Sequence, residues 1–141
     1  MNPSVPIMGY RVYSGNLQEI KFEKKTSLVS TINAHSYMLA EKDLAFKQAL
    51  IESDILLADG FPIVIAARLS GGYKIKKIAG ADIFHFLLDR LNKSSGSCFF
   101  LGSTPETLVK IRNRIFIEFP NISVDFYSPP FKSNYSEQEN M

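Results

Sequence analysis

The sequence is poor in the residues that build disulfides and metal sites, with one cysteine, two histidines and no tryptophan among 141 residues. A single cysteine excludes an intramolecular disulfide framework and a multi-cysteine metal site. The histidines show no spacing to carboxylates of the kind that metal sites use, so we expect no tightly held metal and no cofactor. Cys98 lies within an apolar run, which predicts a buried, inert thiol in a strand and suits a reducing compartment.

The sequence also lacks a strong net charge and a long apolar run. The formal net charge is +2, which gives no reason to expect a nucleic-acid partner. The longest apolar stretch, Ile55 to Leu69, is interrupted by Asp59, Pro62 and Arg68, so it does not predict a transmembrane helix. The N-terminus has no hydrophobic segment typical of a signal peptide.

The chain is long enough for one domain with a sizeable core, and its 45% apolar content is ordinary for a globular protein. Apolar runs of strand length alternate with segments of helical periodicity. The predicted strands are 28–32, 55–58, 97–101 and 124–127, and the predicted helices are 34–52, with a break near 41, then 62–69, 82–92 and 105–119. Residues 1–9 are predicted to be irregular. This alternation predicts an α/β fold, with a Rossmann-like, mostly parallel sheet and helices on both faces.

Polar residues follow the first two of these strands where each is predicted to end. Thr31 and Asn33 end the first strand, and Asp59 and Gly60 follow the second. Because ligands bind beyond the carboxyl ends of parallel strands, these residues are predicted to face one crevice. The alternative interpretation is structural, with Asn33 capping the next helix and Asp59-Gly60 forming a turn.

Four short blocks of the sequence resemble one known family. The blocks are Thr31-x-Asn33, Ala58-Asp59-Gly60, Ala79-Gly80-Ala81-Asp82, and Phe100-Leu101-Gly102 followed by Pro105-Glu106. Their order and spacing are similar to those of the WecG/TagA/CpsF family of bacterial glycosyltransferases. The resemblance runs from about residue 10 to the end of the chain.

The resemblance implies roles for individual residues. Asp59 takes the position of the family's general base, and Thr31 and Asn33 take positions that line the substrate pocket. Lys77 stands where the family usually has an arginine, which keeps the charge but loses the planar fork that binds phosphate in two places. The remaining motif residues are candidate substrate-binding positions, namely Gly60, Gly80, Asp82 and Gly102. Two of these keep structural alternatives, Asp82 as a helix N-cap and Gly102 as a plain strand-to-helix corner rather than a phosphate-binding loop.

The resemblance also implies a function. It is the inverting transfer of a hexosamine or uronic-acid type sugar from a UDP-sugar to a polyprenyl-diphosphate-linked acceptor, in cell-surface polysaccharide synthesis at the cytoplasmic face of the membrane. The family continues beyond the pattern seen here, with a Gly-x-Pro-Lys-Gln-Glu motif and a basic membrane-associating segment. We therefore expect residues 1–141 to form a single, truncated domain that is prone to self-association and contacts the membrane only in a full-length form.

Two other interpretations remain open at this point. One is a non-catalytic remnant, or a module of the same fold that binds nucleotide sugars without turnover. The other is an unrelated nucleotide-binding α/β protein, which ligand preference for NAD or FMN over UDP-sugars would reveal.

Overall fold

The structure is a computed structural model that describes residues 1–131. The chain divides into two compact units, Met1–Phe86 and Leu87–Met141, and each unit is described by itself. The elements in chain order are β1 (Ser4–Ile7), β2 (Tyr10–Tyr13), a short 3-10 helix (Leu17–Glu19), β3 (Val29–Ile32), α1 (Ala34–Ala40), α2 (Leu44–Ile51), β4 (Ile55–Ala58), α3 (Phe61–Gly71), α4 (Gly80–Ser94), β5 (Ser97–Leu101), α5 (Pro105–Glu118) and β6 (Ser123–Tyr127).

The first unit opens with a β-hairpin, whose first strand takes the place of the irregular start predicted for residues 1–9. β1 pairs antiparallel with β2, from Ser4 opposite Tyr13 to Ile7 opposite Tyr10. The expectation of an irregular start was wrong because Pro6 is compatible with an edge strand, where no N–H needs to be donated to a neighbour. Ile7, Tyr10 and Val12 are buried and join the core of this unit.

β3 and β4 form the predicted parallel pair, in the register Val29 to Ile55 through Ile32 to Ala58. All four side chains of β4 are buried, so both faces of this strand are covered. β3 is less buried than predicted, since only Ile32 is fully enclosed. Within residues 1–131, β3 pairs with β4 alone, and a strand with one neighbour is open along its other edge.

The crossover between these strands is helical and is interrupted where the sequence predicted a break. α1 ends at Ala40 and α2 begins at Leu44. The carboxylate of Asp43 caps α2 by accepting a hydrogen bond of 3.0 Å from the N–H of Phe46. Ala40 and Leu50 contribute the buried side of this crossover to the core, which confirms the predicted helical stretch and its division.

The second unit repeats the strand–helix–strand pattern. β5 pairs parallel with β6, from Ser97 opposite Ser123 to Leu101 opposite Tyr127. α5 connects them, and Thr104 caps it with Pro105 in its first turn. The two parallel pairs and five α-helices found within residues 1–131 confirm the predicted α/β, Rossmann-like class. The single-domain prediction stays a prediction.

β5 is not the buried strand that the sequence predicted. Its alternate side chains are exposed, with Phe99 at 62% and Leu101 at 71%. The reason is that Cys98 and Phe100 pack on the core with α4 and α5, whereas the opposite face of the pair carries no such packing. Cys98 is accordingly half-buried rather than buried. Burial still raises the pKa of its thiol, and its lack of reactivity stays a prediction.

No helix within the part of the chain that the structure describes is long and apolar enough to cross a membrane.

The Asp54 carboxylate gives a testable link between the fold and pH. It accepts hydrogen bonds from the Lys24 ammonium and from the N–H of Leu28, the latter at 2.8 Å. These bonds, the Lys24 one first, lower its pKa below the ordinary value of 3.8. A lowered pKa contributes stability that is present above the ordinary value and is lost as pH falls through the value in the folded protein. We expect Asp54→Asn to lower the free energy of unfolding at pH 7 and to matter progressively less as the medium becomes acidic.

Urea unfolding across this pH range measures the effect. The control is Asp89→Asn, which removes an exposed carboxylate with no ion pair within residues 1–131. A stability difference for Asp54→Asn that stays constant with pH would contradict the proposed linkage.

Candidate active site

The carboxyl ends of β3 and β4 bring the predicted residues of the first unit together. The last paired residues are Ile32 and Ala58. The N–H of Asp59 then donates a hydrogen bond of 2.9 Å to the carbonyl of Ile32, so the two chains stay side by side for one further residue. Asn33 and Asp59 therefore leave the pair at the same edge, as predicted, whereas a crevice shared by their side chains stays a prediction.

Thr31 and Asn33 lie on the same face of their strand, because side chains alternate along it. Between them, Ile32 points to the opposite face and is buried in the core. Thr31 and Asn33 are both partly exposed, so solvent or a ligand can reach them. The alternation along the strand thus puts Ile32 into the core and leaves Thr31 and Asn33 accessible on the other face.

Asn33 serves as the helix cap that the structural interpretation predicted. Its Oδ1 accepts a hydrogen bond of 2.9 Å from the N–H of Ser36, and the Ser36 hydroxyl accepts one of 2.8 Å from the N–H of Asn33. Its amide nitrogen has no partner within residues 1–131. The side chain is therefore held by one end and keeps two N–H donors for a ligand.

The Asp59 carboxylate has no hydrogen-bond donor or cation in contact with it among residues 1–131. Only its backbone is fixed, through the N–H bond to Ile32. The residue is partly exposed although the strand before it is fully buried. An acceptor that the protein leaves unsatisfied at a strand end is chemically suited to receive a proton from a bound hydroxyl group.

Gly60 makes the corner between β4 and α3. Its φ of 112° and ψ of 152° lie in a region that only glycine adopts without strain. As the N-cap of α3 it has no side chain to bond the first turn. Pro62 has no N–H, so the N–H groups left for solvent or an anionic ligand at the start of α3 are those of the residues around it, and the helix dipole favours negative charge there.

The basic connector after α3 returns to the same strand end. The N–H of Ile78 donates a hydrogen bond of 2.8 Å to the carbonyl of Ala58. In a trans peptide the carbonyl and the following N–H point in opposite directions, and the Asp59 N–H faces β3. The connector therefore runs along the edge of β4 away from β3.

Lys77 is carried by this connector to the start of α3. Its Nζ lies 5.8 Å from the centroid of the Phe61 ring, within the range of a cation–π contact. Lys77 is predicted from the sequence but its partner Phe61 is not, although that aromatic follows the Asp-Gly pair directly. Asp59 is thus flanked by Asn33 from one neighbouring segment and by the Lys77 connector from the other.

Asp82 stabilises the start of α4, but not as the N-cap that the structural alternative predicted. Its Oδ2 accepts a hydrogen bond of 2.7 Å from the N–H of Ala79, and its own N–H donates one of 3.0 Å to the Ala79 carbonyl. Asp82 is therefore the third residue of α4 rather than its N-cap, and it closes the first turn as in a capping box. Gly80 is the first residue of α4, two positions after the Ile78 bond to β4.

Gly102 belongs to the second unit, so its placement is described within that unit alone. It has a φ of 111°, and its N–H donates a hydrogen bond of 3.0 Å to the carbonyl of Tyr127. The N–H that a phosphate loop needs is therefore occupied by the neighbouring strand. This geometry favours the corner interpretation of Gly102.

A cavity of about 540 Å³ opens at the opposite, amino ends of β3 and β4, with Asp54 and Ile55 in its wall. Several of its charges are already neutralised, Lys24 by Asp54 and the N-terminal ammonium of Met1 by Glu23. Parallel strands bind ligands at their carboxyl ends. The edge that carries the unpaired carboxylate is therefore the better candidate site.

Together these features define a Rossmann-like α/β protein with a polar site at the carboxyl ends of neighbouring parallel strands. Comparison with known proteins gives the family. The sequence model of the WecG/TagA/CpsF family of glycosyl transferases matches residues 6–141, and the chain belongs to this family.

Two bacterial relatives carry the same name, N-acetylglucosaminyldiphosphoundecaprenol N-acetyl-beta-D-mannosaminyltransferase. The protein of Bacillus subtilis is 31% identical over 106 residues, which cover 75% of this chain and 41% of the relative. The protein of Bacillus spizizenii is 26% identical over 115 residues, which cover 82% of this chain and 45% of the relative. The chain thus spans less than half the length of these curated relatives.

The two uses of Asn33 can be separated by substitution. Asn33→Ala removes both the cap and the amide donors, and loss of a cap costs about 1 kcal/mol of stability. Asn33→Asp keeps an oxygen for the Ser36 N–H, because aspartate caps as well as asparagine, but it replaces the free donors with a charged acceptor. We expect near-normal stability for Asn33→Asp and weakened binding of UDP or a UDP-sugar for both variants.

Urea unfolding and calorimetric titration with UDP measure the two effects, and Asp43→Ala, which removes the cap of α2, is the control for capping alone. Normal nucleotide binding by Asn33→Asp would show that the amide donors serve no ligand.

Proposed function

We propose that this protein transfers a hexosamine or uronic-acid type sugar from a UDP-sugar to a polyprenyl-diphosphate-linked acceptor, in the synthesis of a cell-surface polysaccharide. The observation that carries the proposal is the register of β3 and β4. Because of this register Asp59 follows its strand beside Asn33, and the bond from the Ile78 N–H to the Ala58 carbonyl brings the segment that carries Lys77 to the other edge of β4. Membership of the glycosyl transferase family supports the type of reaction.

In the proposed reaction Asp59 is the general base. The acceptor hydroxyl oxygen attacks the anomeric carbon of the donor while the bond from that carbon to the diphosphate breaks. The proton of the hydroxyl passes to the Asp59 carboxylate, and UDP leaves with the bonding electron pair. The carboxylate has no competing hydrogen bond or ion pair within residues 1–131, so it can take this proton. Attack from the face opposite the leaving group gives inversion.

The departing diphosphate requires positive groups, because negative charge grows on it as the bond breaks. Lys77 supplies one cation beside Phe61. The uncapped first turn of α3 supplies backbone donors at Gly60 and beyond. Thr31 and Asn33 would position the sugar or the nucleotide from β3, while Gly80, Asp82 and Gly102 stay candidate binding positions from the family motifs.

The names of the relatives refine the choice of substrates. Both describe transfer of N-acetylmannosamine to N-acetylglucosaminyl-diphosphoundecaprenol. We therefore infer N-acetylmannosamine as the donor sugar to test first, with a lipid-diphosphate-linked N-acetylglucosamine as the acceptor. We propose that the reaction takes place at the cytoplasmic face of the membrane, with peripheral contact there rather than a membrane span. Self-association of the chain is a further proposal.

The decisive test is Asp59→Asn, which removes the base and keeps the size of the side chain. We expect kcat to fall by roughly 10²–10⁴, the usual contribution of general-base catalysis. Binding of UDP should change little, because the carboxylate faces the acceptor and not the diphosphate. Turnover of UDP-N-acetylmannosamine, with calorimetric titration of UDP, measures both quantities.

Asp89→Asn is the matched control, since it makes the same change at an exposed position of α4. An unchanged kcat with a raised KM for Asp59→Asn would make Asp59 a binding residue and refute the base assignment. UDP binding without turnover in the unaltered protein would favour the second interpretation, a nucleotide-sugar-binding module.

Lys77 provides an independent test of leaving-group stabilisation. We expect Lys77→Met to reduce kcat/KM strongly, since removal of one such donor raises the barrier by about 3 kcal/mol, or roughly a hundredfold. Lys77→Arg should keep or increase activity, because the planar guanidinium binds phosphate oxygens in pairs.

Steady-state kinetics on the two variants measure this difference, with Lys110→Met on α5 as the control for loss of an exposed lysine. Equal activity of Lys77→Met and the unaltered protein would exclude Lys77 from the diphosphate site.

A further inference from the structure

α3 is apolar on the side that faces solvent as well as on the side that faces the core. Ile63 and Ala67 are buried, at 2% and 0% exposure. Phe61, Ile65 and Leu69 are 68%, 56% and 83% exposed, and their spacing of four residues places them on one face of the helix. We call these three residues the α3 stripe. A helix that is apolar all round normally has both sides covered, so the α3 stripe requires a partner.

The charged residues between Asp59 and Asp82, a range that includes the α3 stripe, all have one sign. Residues 60–81 contain Arg68, Lys74, Lys76 and Lys77 and no aspartate or glutamate, which contrasts with the small net charge of the whole chain. Arg68 follows Ile65 by three positions, so it lies on the exposed face of α3, and it has no ion pair within residues 1–131. Lys77 contacts the Phe61 end of the α3 stripe. The pKa of the Glu19 carboxyl is lowered chiefly by its hydrogen bonds with Asn16 and in smaller part by the charge of Lys76, so Lys76 already has a carboxylate near it and is not counted as a lipid contact.

We propose that the α3 stripe docks on a lipid bilayer that carries anionic phospholipid. Apolar side chains of an interfacial helix enter the boundary between headgroups and acyl chains, while neighbouring cations meet the lipid phosphates. Phe61, Ile65 and Leu69 supply the apolar side chains for insertion, and Arg68 supplies a cation beside them for lipid phosphate. A second copy of this chain is a poorer partner, because a two-fold contact through this face brings like residues together. It would bury the Arg68 side chains of both copies near one another without a carboxylate from residues 60–81.

The docking proposal rests on the proposed function and specifies where the membrane lies relative to the candidate active site. α3 begins at the residue after Gly60, and Gly60 follows Asp59 directly. A bilayer against the α3 stripe therefore lies beside the strand ends that carry the proposed base. A lipid-diphosphate acceptor presents its sugar at that same surface. The lipid anchor of the acceptor and the helix next to the site would then share one membrane face.

Vesicle sedimentation tests the proposal with the 141-residue chain. We expect it to bind vesicles of phosphatidylcholine mixed with phosphatidylglycerol, to bind pure phosphatidylcholine much less, and to lose affinity as salt is added. The double variant Ile65→Gln/Leu69→Gln should lower the partition coefficient by roughly tenfold or more. Arg68→Gln should lower it about fivefold, the usual contribution of one cation near an anionic surface.

Two matched controls lie on α5. Phe116→Gln/Ile117→Gln removes a comparable exposed apolar pair, at 75% and 78% exposure, and Lys110→Gln removes an exposed cation. Both should change the partition coefficient less than about twofold, within the scatter of surface substitutions. Circular dichroism confirms that each variant is folded, and all changes are at exposed positions.

Three results would overturn the proposal: no preference of the unaltered chain for anionic vesicles, equal losses in the control variants, or a dimer that Ile65→Gln/Leu69→Gln dissociates without altering vesicle binding. Turnover on a water-soluble acceptor with a short lipid chain separates this proposal from the function. If docking alone fails, that turnover persists while vesicle binding is absent. If the catalytic proposal alone fails, vesicle binding persists without turnover.

Discussion

The parallel register of β3 and β4 is the constraint on which the candidate site depends. A slip of one residue would exchange the faces of every side chain on one strand, moving Ile32 out of the core and Asn33 away from Asp59. The register is fixed from two sides. Burial of Ile32, the one fully enclosed side chain of β3, fixes the face that β3 turns to the core, and a 2.8 Å hydrogen bond between the hydroxyls of Ser53 and Ser30 ties the end of the helical crossover back to β3. The site is thus held by packing beneath it rather than by bonds between its own polar groups.

The residues of the candidate site differ in how many of their polar atoms are hydrogen-bonded within the fold and how many remain for a ligand. The side-chain oxygen of Asn33 accepts the capping bond of α1, and its nitrogen remains for a ligand. One carboxylate oxygen of Asp82 accepts a bond from the first turn of α4. Asp59 is fixed only through its backbone and keeps its whole carboxylate. A choice between a structural and a functional interpretation is therefore too simple for Asn33, because a capping bond also orients the donors that remain.

Local sequence signals predicted the element boundaries well, since caps and glycines act over a few residues. Asp43 marked the start of α2, and Gly72, in the left-handed conformation, ended α3. Burial and long-range pairing were less predictable. The apolar run around Phe99 shows that a strand is present, but not whether one or both of its faces are covered. Nothing periodic in the connector predicts its bond to β4 at Ile78, because that bond depends on tertiary packing.

The two residues of the Asp59-Gly60 corner are restricted for different reasons, Gly60 by its backbone angles and Asp59 by the chemistry proposed for it. A methyl group at residue 60 would meet nothing closer than the Pro62 side chain, at 3.6 Å, so space alone would admit alanine. The backbone angles at residue 60 would not, because a φ of 112° strains every other residue type. Substitution at position 60 is thus restricted by the backbone conformation. This restriction would remain in a descendant that no longer carried out the proposed reaction. Position 59 carries no such backbone restriction, so an intact glycine beside a replaced aspartate would be the sequence signature of a family member that kept the fold and lost the chemistry proposed for Asp59.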